Sequence, residues 1–213
     1  MQTLAVIDYG SSNLRSVSKA LEYVADAKTR VVVSENPEQI LAADKIVFPG
    51  QGAIGQCMQA LKEKKLGELV VESIATKPFL GICLGLQSLM DHSDENEGTA
   101  GLGIVEGGVH RFKAGLKDAQ GNTLKIPHMG WNQVHQEKAH PLWEGIDSGE
   151  RFYFVHSYYV EPVKQQDCAA SSEYGLKFTA AIARDSFFAT QFHPEKSQQA
   201  GLRLLRNFLR WQP

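Results

Sequence analysis

The stretch that most constrains this chain is Lys77-Pro-Phe-Leu-Gly-Ile-Cys-Leu-Gly-Leu-Gln-Ser-Leu-Met90. Pro78 to Ile82 is a short apolar run that reads as a buried strand, and Leu86 to Met90 reads as the start of a helix. Between them Cys83 is bracketed by Gly81 and Gly85, which gives a strand, a tight turn bearing a nucleophile, and a helix. Side chains at the bracketing positions would collide with the strand or the helix. The sulfur is then expected at the positive end of a helix, which favours thiolate over thiol. Free cysteines usually pack as small buried hydrophobes, and Cys57 and Cys168 are read that way. The glycine bracket reverses that reading for Cys83.

Strand and helix alternate through the first ninety residues. Strands are expected at Thr3–Ile7, Arg30–Val33 and Lys45–Phe48, ahead of the cysteine strand. Leu14, Val17, Leu21 and Val24 follow helical spacing, with Ser11 or Ser12 as N-cap. Ser34 and Asn36 offer caps for a short helix carrying Ile40 and Leu41, and one long helical pattern follows Gly52 to about Ile74. Such alternation predicts a parallel sheet with helices on both faces. In such sheets the working residues lie beyond the strands' carboxyl ends, where Cys83 and the loop Pro49-Gly-Gln-Gly52 both fall. After Met90 the texture changes. Residues 91–98 read as a polar loop, and residues 101–112 and 123–136 as glycine-broken antiparallel strands. Residues 151–160 read as one aromatic strand, 178–183 and 187–192 as a pair around Arg184–Ser186, and 201–211 as a closing helix. The expected fold class is therefore α/β: a central, mostly parallel sheet with flanking helices and a smaller antiparallel region, in a single domain over residues 1–213.

Composition narrows the function classes. A net charge of −2 with no basic run argues against a nucleic-acid surface. The longest mostly apolar uncharged run, Pro78 to Met90, has 13 residues and is too short to span a bilayer. The amino terminus lacks a basic segment before its apolar run, so no signal peptide is expected. Three cysteines without close spacing argue against a disulfide framework, and a reduced, cytoplasmic setting is expected. The histidines and cysteines show no metal-ligand spacing; neither metal nor cofactor is expected.

A reactive cysteine needs a base, and Phe188-Ala-Thr-Gln-Phe-His-Pro-Glu195 supplies a candidate. A strand is expected to end at His193, with Pro194 stopping it and Glu195 able to project to the same side. An acid on a histidine fixes its tautomer and stabilises the imidazolium. That histidine can take a proton from a thiol and return it to a leaving group. Attack on a carbonyl also needs an oxyanion hole. The Leu84 N–H is one natural donor, and an N–H of Gln51 or Gly52 is the expected second.

Gly81-Ile-Cys-Leu-Gly-Leu-Gln87, Pro49-Gly-Gln-Gly52 and Phe192-His-Pro-Glu195 resemble the three motifs of the class I (triad) glutamine amidotransferases. Within that family, Asp8-Tyr-Gly-Ser-Ser-Asn-Leu-Arg15, Pro127-His-Met-Gly-Trp-Asn132, Tyr153-Phe-Val-His-Ser-Tyr158 and His193-Pro-Glu-Lys-Ser197 resemble the histidine-biosynthesis branch. Its members are glutaminase subunits. The resemblance covers essentially the whole chain and implies the following. Cys83 attacks the amide of L-glutamine to form a γ-glutamyl thioester, His193 moves the protons and Glu195 orients His193. Gly50, Gln87 and Glu95, with backbone N–H groups near Ser157 and Tyr158, bind the substrate. A separate (βα)8 cyclase forms a heterodimer with this chain and receives the ammonia directly, with Met129, Trp131 and Lys196 at the docking face. Glycine-flanked peptides at Gln51 can flip, so partner and acceptor binding are expected to order the oxyanion loop. The competing readings are a glutaminase for another pathway, such as anthranilate or pyridoxal phosphate synthesis; a stand-alone Cys-His-Glu hydrolase of γ-glutamyl peptides; and a non-catalytic module that kept the fold.

Overall fold

The computed structural model describes residues 1–213. In chain order the elements are β1 (Gln2–Ile7), α1 (Leu14–Val24), β2 (Thr29–Ser34), α2 (Pro37–Leu41), β3 (Lys45–Gly50), α3 (Ile54–Glu63), α4 (Gly67–Thr76), β4 (Phe79–Cys83) and α5 (Leu84–Gln87). There follow β5 (Met90–Ser93), β6 (Thr99–Ala100), β7 (Val105–Arg111), β8 (His128–Gln136), β9 (Glu150–His156), β10 (Tyr158–Pro162), β11 (Cys168–Glu173), β12 (Lys177–Arg184), β13 (Phe187–Thr190) and α6 (Gln198–Arg210).

The sheet runs β2-β1-β3-β4-β13-β12-β10-β7-β5-β6, with β11, β8 and β9 branching from β12. The first five strands of this path are mutually parallel, and the sheet turns antiparallel at β12. Strands buried on both faces read as continuous apolar runs, and β1 shows why. Its Leu4 and Val6 join one core with Val17 and Leu21 of α1 and Leu204, Leu205 and Phe208 of α6. Its Ala5 and Ile7 join a second core with Leu61 of α3 and Leu69 and Val70 of α4.

Several expectations shift. The long helical pattern after Gly52 is two helices, because Lys65 adopts φ +56° and ends the first in the left-handed region. Helix α1 is capped by Asn13 rather than Ser11 or Ser12, and the Asn13 side chain makes no cap bond. The helix expected from Leu86 to Met90 is a single turn, Leu84–Gln87, and Met90 already opens β5 beside Val105. The polar stretch 91–98 therefore holds most of a strand and a 3-10 turn at Glu95–Glu97. The aromatic run 151–160 is two strands broken at Ser157. A single straight strand could not ladder with both sets of neighbours, so β9 pairs with β8 while β10 pairs with β7 and β12.

Candidate active site

Parallel strands deliver their carboxyl ends to one rim, and register decides which residues meet there. Gly50 at the end of β3 lies opposite Cys83 at the end of β4. On the other side Thr190 of β13 lies opposite Ile82, so the residues after Thr190 emerge beside the cysteine. Cys83 stands at φ +54°, ψ −104°, a backbone state that costs a non-glycine residue about 1–3 kcal/mol. Its bracketing glycines hold it there by close approach. A Cβ on Gly85 would lie 2.0 Å from the Phe48 carbonyl oxygen, and one on Gly81 would lie 3.0 Å from the Ala189 Cβ. Gly50 is the same kind of position, since a Cβ there would lie 2.3 Å from the Tyr9 hydroxyl and 2.8 Å from the Leu84 Cβ.

His193 follows β13 and precedes the 3-10 turn Pro194–Lys196; the strand itself ends three residues earlier than expected, at Thr190. Its backbone N–H donates to the Tyr153 carbonyl at 2.9 Å, which ties it to β9. Its Nδ1 meets Glu195 Oε1 at 2.8 Å, with both side chains fully buried. The same oxygen accepts a bond from Asn13 Nδ2 at 2.5 Å, which accounts for the missing cap of α1. With Nδ1–H pointing at the carboxylate, Nε2 is the nitrogen free for proton transfer. It is buried without a hydrogen-bond partner and lies within the influence of Cys83. Burial opposes the imidazolium. The interaction with Cys83, and then that with Glu195, outweighs it and holds His193 up at about 10. Burial likewise opposes the Glu195 carboxylate, and the bond and charge of His193, with Asn13, bring it below the ordinary range. A cysteine in a strained turn, an imidazole held in its protonated form and a carboxylate locking its tautomer are the parts that acyl transfer can use.

The helix expected to activate the sulfur is much shorter than expected. Helix α5 has four residues, one turn of aligned dipoles, so His193 is the larger electrostatic influence at hand. Leu84 is its first residue, and first-turn N–H groups have no intrahelical acceptor.

A cleft of about 550 Å³ opens over Cys83, the size of a small-molecule site. Gln51, Gly52, Leu84, Gln87, Glu95, Met129, Ser157, Tyr158 and Lys196 all line it. Gly52 has φ +97°, a conformation favouring glycine. Gln87 is buried and donates to the Tyr158 carbonyl at 3.0 Å. One oxygen of Glu95 accepts the Ile54 N–H at 2.8 Å, capping α3, so this acid is not simply solvated. Gly50 does not line the cleft; it lets Tyr9 and Leu84 close in beneath it. Trp131 also stands off the cleft, over a neighbouring hollow with Ser197, and its ring meets the edge of Tyr153. Lys196 lies 6.0 Å from the Tyr153 ring centroid, and Met129 is 62% exposed.

Sequence reasoning missed Asn13, which bonds Glu195; Tyr153 and His156, which line the cleft; and Gln191, whose side chain lies 3.6 Å from the Cys83 sulfur. Asn13 and Tyr153 lie inside stretches singled out for other reasons, yet nothing local says that either meets residues near 195. Gln191 had a readable signal. It sits two residues before His193, and period-2 alternation puts both on one side of an extended segment.

Residues 5–211 match the glutamine amidotransferase class-I family model. The chain is 56% identical over its full length to imidazole glycerol phosphate synthase subunit HisH of Methylococcus capsulatus, covering 98% of that protein. It is 55% identical to the subunit of the same name from Aromatoleum aromaticum, covering all of both chains. Its fold is similar to that of a putative GMP synthase subunit from Thermoplasma acidophilum (TM-score 0.70, 21% identity, 99% of this chain and 93% of that one).

Proposed function

The chain belongs to the class-I glutamine amidotransferase family, and from that premise we propose that it is the glutaminase subunit of an imidazole glycerol phosphate synthase. It hydrolyses L-glutamine and hands the ammonia to a separate (βα)8 cyclase for histidine biosynthesis. The observation that carries the reading is the meeting, at one sheet rim, of Cys83 in its positive-φ turn and the buried His193–Glu195 pair.

Each residue then has a task. Gln87, Glu95 and the backbone near Ser157 and Tyr158 hold the α-groups of glutamine. The Cys83 sulfur adds to the side-chain amide carbon, and its proton resides on His193 Nε2. The π electrons move to oxygen, which the N–H groups of Leu84 and of Gln51 or Gly52 stabilise, each worth about 2.7–4 kcal/mol. Collapse breaks the C–N bond, and ammonia leaves with the His193 proton. Water next gives a proton to His193 and adds to the thioester carbon. Breaking the C–S bond releases glutamate and restores the thiolate–imidazolium pair. Glu195 holds the imidazole in one tautomer throughout. Met129 in the cleft wall and Trp131 over the neighbouring hollow, both exposed, form an apolar docking surface, and Lys196 adds a charge. Passage of ammonia directly between the subunits keeps it from being protonated by water.

The test is glutamate release from L-glutamine by the purified chain, alone and with a cyclase partner and its nucleotide substrate. Low activity alone, rising many-fold with the partner and abolished in Cys83→Ala, is the expected result. Equal activity with and without the partner would make the chain a stand-alone hydrolase and remove the docking-face assignment.

A further inference from the structure

Gln191 is wholly buried, and both ends of its amide are engaged in the active site. One end faces the Cys83 sulfur at 3.6 Å and the other meets the Gln87 side chain at 3.1 Å. Carboxamide nitrogen and oxygen have nearly the same shape, so which end faces sulfur must follow from the partners. Here the partners settle it. The Tyr158 carbonyl can only accept, so the Gln87 atom 3.0 Å from it must be the amide nitrogen. That nitrogen has two hydrogens, and its second neighbour is Gln191, which must therefore present its oxygen. The Gln191 nitrogen is then left to point a hydrogen at the sulfur. The Tyr158 carbonyl is itself pinned by a bond from His156 Nδ1 at 2.8 Å, so the chain of bonds has one fixed direction.

We propose that Gln191 is a further catalytic residue, whose amide N–H donates to the Cys83 sulfur and both holds it over the cleft and stabilises its anionic form. The proposal rests on the reading of Cys83 as the nucleophile. The chemistry explains why a glutamine serves. Hydrogen bonds to a charged acceptor are stronger than to a neutral one, so the N–H favours thiolate over thiol. The bond weakens once the sulfur is acylated, so it does not hold the thioester. Because Gln191 is bonded to Gln87, which also lines the glutamine cleft, substrate seating and sulfur orientation share one rigid link.

The experiment is the pH profile of Cys83 alkylation by iodoacetamide in the full chain, read at that residue by peptide mass spectrometry, for the parent and for Gln191→Met. Methionine keeps the approximate length and removes the donor. The expected result is an alkylation rate at pH 6 lower by about tenfold, the scale of one hydrogen bond to a charged group, with the alkaline plateau unchanged. An unchanged plateau shows the variant folded and the sulfur accessible. Superimposed profiles would overturn the role of Gln191. A parent profile showing no reactive thiolate near neutral pH would instead overturn the nucleophile reading itself. Should Gln191→Met fail to fold, the side-chain amide of Gln191 in 15N-glutamine-labelled protein tests the same bond. Its hydrogens should exchange faster with solvent in Cys83→Ala than in the parent, and equal exchange would overturn the proposal.

Discussion

At the scale of single residues, the site depends on one carboxylate oxygen doing two things. Glu195 Oε1 accepts from both His193 and Asn13. Glu195→Gln keeps the shape but offers the imidazole a neutral partner that can present the wrong tautomer. Its expected effect is a fall in kcat of about 10⁴-fold, the cost seen when a triad acid becomes its amide, with KM little changed. Asn13→Ala removes one bond and leaves the acid charged, so its expected loss is only about tenfold. Steady-state glutaminase kinetics in the complex check both. Equal losses would mean that Asn13 sets the imidazole as strongly as the acid does. Glu195 was readable from the sequence because it stands two positions from His193. Asn13 was not, because its partner is 182 positions away.

At the scale of elements, glycines at the rim and in the turn before β6 act for different physical reasons, and substitutions separate them. Gly85 needs space, since its Cβ would meet a backbone oxygen at 2.0 Å. Gly98 has open space and φ +108°, so there alanine costs only backbone strain. Gly85→Ala is expected to destabilise by about 1–3 kcal/mol through overpacking and to lose activity by displacing the turn at Cys83. Gly98→Ala is expected to cost about 1–3 kcal/mol in backbone strain alone and leave the turn at Cys83, and with it the activity, intact. Urea midpoints and glutaminase rates on the two variants test this; a fully active Gly85→Ala would mean that the turn tolerates a shift of β3. The parallel strands were legible because they are buried on both faces and read as apolar runs. Helix ends and the break at Ser157 were not, because they depend on which strand each segment meets.

At the scale of the whole molecule, buried histidines set a pH window for stability. Burial holds His128 down at about 4, and burial followed by the His128 charge holds His156 at about 3. Both are held in the neutral form. As pH falls from about 6.5 towards 4 the unfolded chain takes up protons that the folded chain refuses, so stability falls. His193 works in the opposite sense. Raised to about 10, it contributes fully below about 6.5, and the contribution is lost as pH rises through 10. Lys45, lowered to about 8 by burial, partly offsets that loss between pH 8 and about 10.5. The alkaline limb due to His193 is therefore read as a difference. Urea unfolding from pH 4 to 10 should show a shallower alkaline fall in His193→Asn than in the parent. An alkaline limb of equal steepness in parent and variant would assign that fall to other groups.

What the sequence determined by itself is local: a strand that must be buried on both faces, a turn that only small neighbours permit, and an acid two residues from a histidine. Each follows from sterics or spacing between near neighbours in the chain. Only the tertiary structure decided that the β3, β4 and β13 ends share one rim, that Asn13 reaches Glu195, and that Gln191 closes on Cys83. The physical reason is that parallel pairing places residues by register between distant strands. A hydrogen bond across 108 positions leaves no periodicity for a sequence to carry.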